Sequence, residues 1–244
     1  MSSVSSVSPA TRAVLFDFAG TLFSDRDLRD AHLEQLRFVA EAVGVGADDA
    51  ELRAAYRQGM GVAFRAIGTG PAYLHRELFG TAFAAMAEGL GGRLDAEQVN
   101  TAVERQYQAT VDYARLRPGC LATLAALRGA GIHVQVVSNI DDDLLQALVD
   151  RLELKPALDA WTSSEEAASC KPDPGIFRLA LSKADCAPEA ALFVGDTPAH
   201  DIEGPAALGM RTAWLVADRK RDTSNVPANH VIGRLDEVPG LVLA

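Results

Sequence analysis

Apolar and polar positions divide the chain into two regimes. Short apolar or β-branched runs bounded by turn residues lie at 14–16, 132–137, 191–194 and 212–216, with a shorter one near 160–163. Their length and their β-branched and aromatic content predict strands buried on both faces. Between 25 and 113 no β-rich segment occurs, and apolar residues recur at helical spacing instead. Leu28, Leu33, Leu36, Phe38 to Ala40 and Val43 approximate a 3.6-residue period, predicting a helix from about Asp25 that closes at Gly44. A second helix is expected from Asp48 or Asp49, carrying Leu52, Ala55 and Tyr56. After it the chain is punctuated by glycines, from Gly59-Met60-Gly61 to Gly68-Thr69-Gly70-Pro71. A third helix is expected over 73–88, before Gly89-Leu90-Gly91-Gly92. A fourth starts near Asp95 with Val99, Val103, Tyr107 and Val111.

Beyond Arg117-Pro118-Gly119, strands and helices alternate. Helices are expected at 120–128, 141–152, through 180 and near 205–208, with a short strand at 231–232 and a weak final helix. This alternation implies a parallel sheet covered on both faces. The expected fold class is therefore α/β, with a doubly wound, Rossmann-like core made of 1–24 and 114–244. The serine-rich residues 1–11 are expected to be a disordered tail, and 25–113 a helical unit inserted after the first strand.

Composition narrows the function. The 244 residues carry a formal charge of −10, which argues against nucleic acid or an anionic membrane as partner. Three cysteines, Cys120, Cys170 and Cys186, without a CxxC pair, suit a reducing compartment and supply neither a disulfide framework nor a zinc site. The N-terminus lacks a basic region followed by an apolar core, so no secretory signal is expected. No apolar segment approaches the roughly 20 residues of a membrane span. The expectation is a soluble cytoplasmic protein, monomeric or homodimeric, that takes a small molecule.

The chemistry lies at the strand ends. In a doubly wound sheet, ligands bind beyond the carboxyl ends of the strands. Those ends carry Asp17, the pair Ser138 and Asn139, Lys171, and Asp196 with Asp201 five residues on. Two or three carboxylates plus a backbone carbonyl form a hard oxygen site suited to Mg²⁺. A lysine and a hydroxyl beside it complement a phosphoryl group, whose repulsion of an attacking carboxylate must be screened.

These residues, in this order, resemble the haloacid dehalogenase (HAD) superfamily over nearly the whole chain. The family's four motifs are matched by Asp17-Phe18-Ala19-Gly20-Thr21, by Ser138 after its apolar run, by Lys171-Pro172-Asp173-Pro174, and by Gly195-Asp196-Thr197-Pro198-Ala199-His200-Asp201. The insert resembles that family's type 1 cap. The resemblance implies a Mg²⁺-dependent hydrolase of a small phosphorylated metabolite, with Asp17 as nucleophile and metal ligand. It further implies that the Ala19 carbonyl and Asp196 complete the direct metal contacts, with Asp201 bound directly or through water. Thr21, Ser138, Asn139 and Lys171 would hold the phosphoryl group, and Lys171 would neutralise Asp17.

One position departs from the family's phosphatases, which carry a second aspartate two residues after the nucleophile. Here it is Ala19. The missing carboxylate serves as general acid and base, a role typically worth about 10²–10⁴-fold. The leaving group then needs no strong acid, or Asp25, Asp27, His32 or His75 supplies the proton, or the protein is a catalytically impaired binding or regulatory protein. Phosphonatases also resemble this motif but use a cap lysine, and no lysine lies between Ser24 and Tyr113. A metal-independent dehalogenase does not need the Asp196/Asp201 pair.

Other candidates carry plainer expectations. Gly59 to Pro71 with Arg57, Arg65 and His75 reads as a flexible connection with solvated arginines rather than a substrate-reading loop. His133 reads as a core histidine, and His200 as a surface residue at a helix start. Asp141, Asp142 and Asp143 read as acidic residues favouring a helix N-terminus. Cys170, Trp161 and Trp214 read as packing residues.

Overall fold

The computed structural model describes residues 10–216 and 226–243, and residues 1–9 of the tail expected over 1–11 lie outside them. Among the described residues, six strands form one parallel sheet: β1 (Ala13–Phe16), β2 (His133–Ser138), β3 (Ala160–Ser163), β4 (Ala191–Gly195), β5 (Arg211–Leu215) and β6 (His230–Ile232), in the order β3-β2-β1-β4-β5-β6. Every residue of β1 and β4 is buried, as strands covered on both faces must be. β1 is held on one side by β2 and on the other by β4, with Phe16 opposite both Val136 and Val194. The chain runs outward from β1 through β2 to β3, then returns to place β4 on the other side. The crevice beyond β1 and β4 is thus the switch point where such sheets bind ligands.

Four helices separate β1 from the rest of the sheet: α1 (Arg29–Ala42), α2 (Asp49–Ala66), α3 (His75–Gly89) and α4 (Ala96–Tyr113). The first begins later than its periodicity suggests, because Asp25–Leu28 form a tight 3₁₀ turn in front of it. Asp48 and Asp95 start α2 and α4 with reciprocal capping boxes to Glu51 and Gln98. One expectation fails here. Gly59-Met60-Gly61 do not punctuate the chain; they lie inside α2. The reason is packing. A Cβ on Gly59 would sit 2.3 Å from the Ala82 carbonyl oxygen of α3, so glycine lets the two helices approach closely. Arg57 and Arg65 are exposed on α2, as expected.

The insert shares its core with the sheet. One cluster of buried side chains runs from Val14, Phe16 and Val136 through Phe18, Leu22 and Phe23 to Leu36, Val39, Phe83, Met86 and Tyr107. The insert leaves and rejoins the core at one place. Phe23 and Leu116 form an antiparallel bridge, and the Arg117 amide donates to the Leu22 carbonyl at 2.8 Å.

The remaining helices cover the sheet: α5 (Cys120–Gly129), α6 (Asp142–Arg151), α7 (Pro174–Lys183), α8 (Gly204–Ala206) and α9 (Val238–Val242). The helix expected near 205–208 starts earlier, because a wide π-type turn over Pro198–Glu203 leads into it. No helix among the described residues is long and apolar enough to cross a membrane.

Candidate active site

Asp17 follows β1 directly, and its amide donates to the Val194 carbonyl at 2.9 Å, fixing it beside β4. The chain then turns sharply, with the Leu22 amide donating to the Phe18 carbonyl at 2.8 Å. Gly20 makes this turn with φ +85°, and a Cβ there would lie 2.8 Å from Asp196 Oδ1. Only glycine allows the turn to come this close to the neighbouring carboxylate.

The three motif carboxylates and the lysine lie together beyond the ends of β1 and β4. Lys171 Nζ donates to Asp17 Oδ1 at 2.6 Å and to Asp201 Oδ1 at 2.7 Å. Thr21 Oγ1 donates to Asp17 Oδ2 at 2.9 Å. Asp201 Oδ2 accepts the amides of Asp196 at 3.1 Å and Thr197 at 2.9 Å. Lys171 is 4% exposed, Asp17 7% and Asp201 1%. Ser138 is buried at the end of β2, and Ala19 is exposed.

Burial and charge set the protonation behaviour. Burial raises the Asp17 carboxyl and the Asp201 charge adds to it, while the Lys171 ammonium opposes both. Burial pulls the Lys171 ammonium down, but Asp17 and Asp201 outweigh it and hold the lysine protonated beyond its ordinary range. One buried ammonium is thus shared between two buried carboxylates. Ligand oxygens of Asp17, Asp196 and Asp201 lie within 4.8 Å of one another. An oxygen-only donor set with excess negative charge, two of its members buried, fits a hard divalent cation such as Mg²⁺.

Several side chains act differently from expectation, or carry no expectation at all. Asn139 uses its side chain to grip the backbone of Lys171, accepting from the amide at 2.6 Å and donating to the carbonyl at 3.0 Å. Trp214, expected only to pack, is buried and also donates its indole N–H to the Asp196 carbonyl at 3.0 Å. Arg117 donates to the Gly20 carbonyl at 2.8 Å, buttressing the turn after Asp17. His200 is half-buried rather than on the surface; burial and Lys171 lower its pKa, against the pull of Asp17 and Asp196. It lines a cavity of about 470 Å³ with Lys171, Pro172 and Asp173 of the core and Phe64 and Tyr73 of the insert.

His133 is half-buried at the first position of β2, not in the core, and its Nε2 is 3.1 Å from Gln135 Oε1. Of the candidate proton donors, His75 Nδ1 lies 3.6 Å from Asp141. His32 Nε2 is buried without a hydrogen-bond partner, and burial lowers its pKa. The side chains of Asp25 and Asp27 lie outside the described residues.

A buried aspartate at the first strand end, paired with a lysine and flanked by further carboxylates at a topological switch point, defines a class of hydrolase. Residues 11–209 match the family of haloacid dehalogenase-like hydrolases, and the chain belongs to that family. It is 32% identical over 127 residues to (S)-2-haloacid dehalogenase 1 of Pseudomonas sp. (strain CBS-3), a match spanning 52% of this chain and 56% of that protein. It is 26% identical over 238 residues to ribulose-1,5-bisphosphate 5-phosphatase of Halopiger xanaduensis, covering 94% of this chain and 98% of that one. The fold is shared with the HAD-hydrolase YfnB of Bacillus subtilis, solved bound to magnesium. The TM-score is 0.76 at 20% identity, over 97% of this chain and 100% of that chain.

Proposed function

We propose that this protein is a Mg²⁺-dependent hydrolase of a small phosphorylated metabolite and works through an aspartyl-phosphate on Asp17. The observation that carries the reading is the buried contact of Asp17 with Lys171, set within 4.8 Å of the oxygens of Asp196 and Asp201. The two relatives' names divide between phosphatase and dehalogenase, and the Asp196/Asp201 pair favours the phosphatase side.

In the first step an Asp17 carboxylate oxygen attacks phosphorus, and the bond from phosphorus to the leaving oxygen breaks with its electron pair on that oxygen. Thr21 orients the carboxylate, and Lys171 offsets charge on Asp17 and on the transferring group. Ser138 holds phosphoryl oxygens, with the Asn139 backbone beside it. In the second step water attacks the same phosphorus, the bond to Asp17 breaks, and inorganic phosphate leaves with the water's oxygen. Asp17, Asp196 and the Ala19 carbonyl would hold Mg²⁺ directly. Asp201, which accepts from Lys171 and two amides, would bind the cation directly or through water. When bound, the cation supplies charge stabilisation for the transferring group. The helical insert acts as a cap over the site.

Ala19 shapes the substrate class. Without a carboxylate there, the best substrates are those whose leaving oxygen needs no proton, such as acyl phosphates. The test is phosphate release by the purified chain from acyl, aryl and sugar phosphates with Mg²⁺, abolished in Asp17→Asn. No turnover of any of them would sink the reading. A second reading is supported by the dehalogenase relative and by Ala19, because halide also leaves without a proton. Halide release from 2-haloalkanoates, with phosphate release absent, would select it.

A further inference from the structure

Asp141 has a role its sequence context conceals. It lies three residues past Ser138, at the start of α6, where its charge reads as a helix-dipole partner. Yet its carboxylate makes no hydrogen bond to its own helix. It reaches the insert instead. Oδ1 accepts the His75 amide at 2.6 Å, and Oδ2 accepts the Arg76 amide at 2.8 Å and the Tyr107 hydroxyl at 2.7 Å. Leu74, at the N-cap of α3, offers no side-chain cap of its own. A core residue thus caps a helix of the insert while holding a second helix through Tyr107. Asp141 is 2% exposed, so removing its carboxylate orphans two amides and a hydroxyl away from water.

The neighbouring contact points the same way. The Cys170 amide, next to Lys171, donates to the Pro71 carbonyl at 2.6 Å. Residues 71–76 of the insert are therefore fastened to the two core loops that carry Ser138–Asn139 and Lys171. Asn139 in turn grips the Lys171 backbone, so hydrogen bonds join both loops and the insert.

We propose that Asp141 is the latch that closes the insert over the active site, a positioning residue that ties insert closure to the loop bearing Ser138 and Asn139. It is a second attachment, separate in sequence from the bridge at Phe23 and Leu116. Releasing it frees the insert to swing while leaving Asp17, Lys171 and Asp201 assembled. The link to turnover rests on the phosphoryl-transfer reading; the latch itself does not.

The test combines amide hydrogen exchange with kinetics on the full chain. In Asp141→Ala, the amides of His75 and Arg76 should exchange about tenfold faster or more, given the charge-assisted bonds lost, with Asp141→Asn between it and wild type. KM for a phosphorylated substrate should rise by a similar factor. Affinity for beryllium fluoride with Mg²⁺, a phosphoryl mimic held by the core residues, should stay within about threefold. If Asp141→Ala does not fold, Tyr107→Phe removes one donor and should move both readouts in the same direction by less. Unchanged exchange at 75–76, or beryllium fluoride affinity falling in step with KM, overturns the latch. Wild-type protein that neither binds beryllium fluoride nor releases phosphate defeats the phosphatase reading instead, and exchange at 75–76 then decides the latch alone.

Discussion

Two glycines two residues apart in α2 should respond to the same substitution with opposite signs. In a helix interior, replacing Gly by Ala stabilises by about 1 kcal/mol, because alanine loses less backbone freedom on folding. Gly61 should show this gain, since the nearest atom to an added Cβ is the mobile Arg65 Nη1 at 3.4 Å. Gly59 should not. Its added methyl would meet the Ala82 carbonyl oxygen at 2.3 Å and the Met86 amide nitrogen at 3.1 Å, both backbone atoms of α3. Relieving that overlap requires the helices to part by roughly 1 Å, and forcing extra volume into a packed contact costs about 1–3 kcal/mol. The penalty offsets or exceeds the propensity gain. For a chain of this size 1 kcal/mol corresponds to about 2–4 °C in Tm. Gly61→Ala should therefore melt about 2–4 °C above wild type, and Gly59→Ala level with or below it. The check is thermal denaturation of both variants side by side, followed by circular dichroism. Equal stabilisation by the two would refute close approach as the reason for glycine at 59.

Gly20→Ala should leave the fold intact but lower phosphate release about a hundredfold or more, because its Cβ would displace the Asp196 carboxylate 2.8 Å away. Ala19→Asp should raise turnover of alkyl phosphate esters by about 10²–10⁴-fold if the position lacks only its acid; no gain in a folded variant would show that another residue serves. Asp141 carries a pH signature. Burial opposes its charge, but bonds from His75, Tyr107 and the Arg76 amide outweigh it and hold its pKa at about 2, below the ordinary 3.8; Cys170 also faces it. A depressed folded pKa gives stability that is present above the ordinary value and lost as pH falls through about 2. The gap in unfolding free energy between wild type and Asp141→Asn should accordingly shrink by about 2 kcal/mol between about pH 6 and pH 2, measured by urea denaturation. A constant gap would refute the assignment.

The parts of the molecule readable from sequence are those where burial leaves one solution. β1 and β4 are apolar because both faces are covered, and each run stops at an aspartate because the sheet's edge is where solvent and ligand begin. Asp17 and Asp196 are legible for that reason, whereas Lys171 and Asp201 are legible through the motifs they belong to. Gly59 is not, since a glycine in a helical pattern signals a break or a close neighbour, and only α3 decides which. Asp141 is hidden by its acidic neighbours, whose helix-start reading is sound for the sequence alone. The side-chain roles of Trp214 and Asn139 give no signal, because each acts on a backbone group of a residue distant in sequence. His133 falls at the first position of its strand and is only half-buried, between the buried Ile132 and Val134.

The stitched crossing at Phe23 and Leu116 has a consequence for how such proteins diversify. A block of chain that departs and returns through adjacent residues can be lengthened, recast or exchanged without shifting the register of the sheet beneath it. The strand carrying Asp17 would keep its geometry while the walls that choose its substrate were rebuilt, so one chemistry could be passed intact among many specificities.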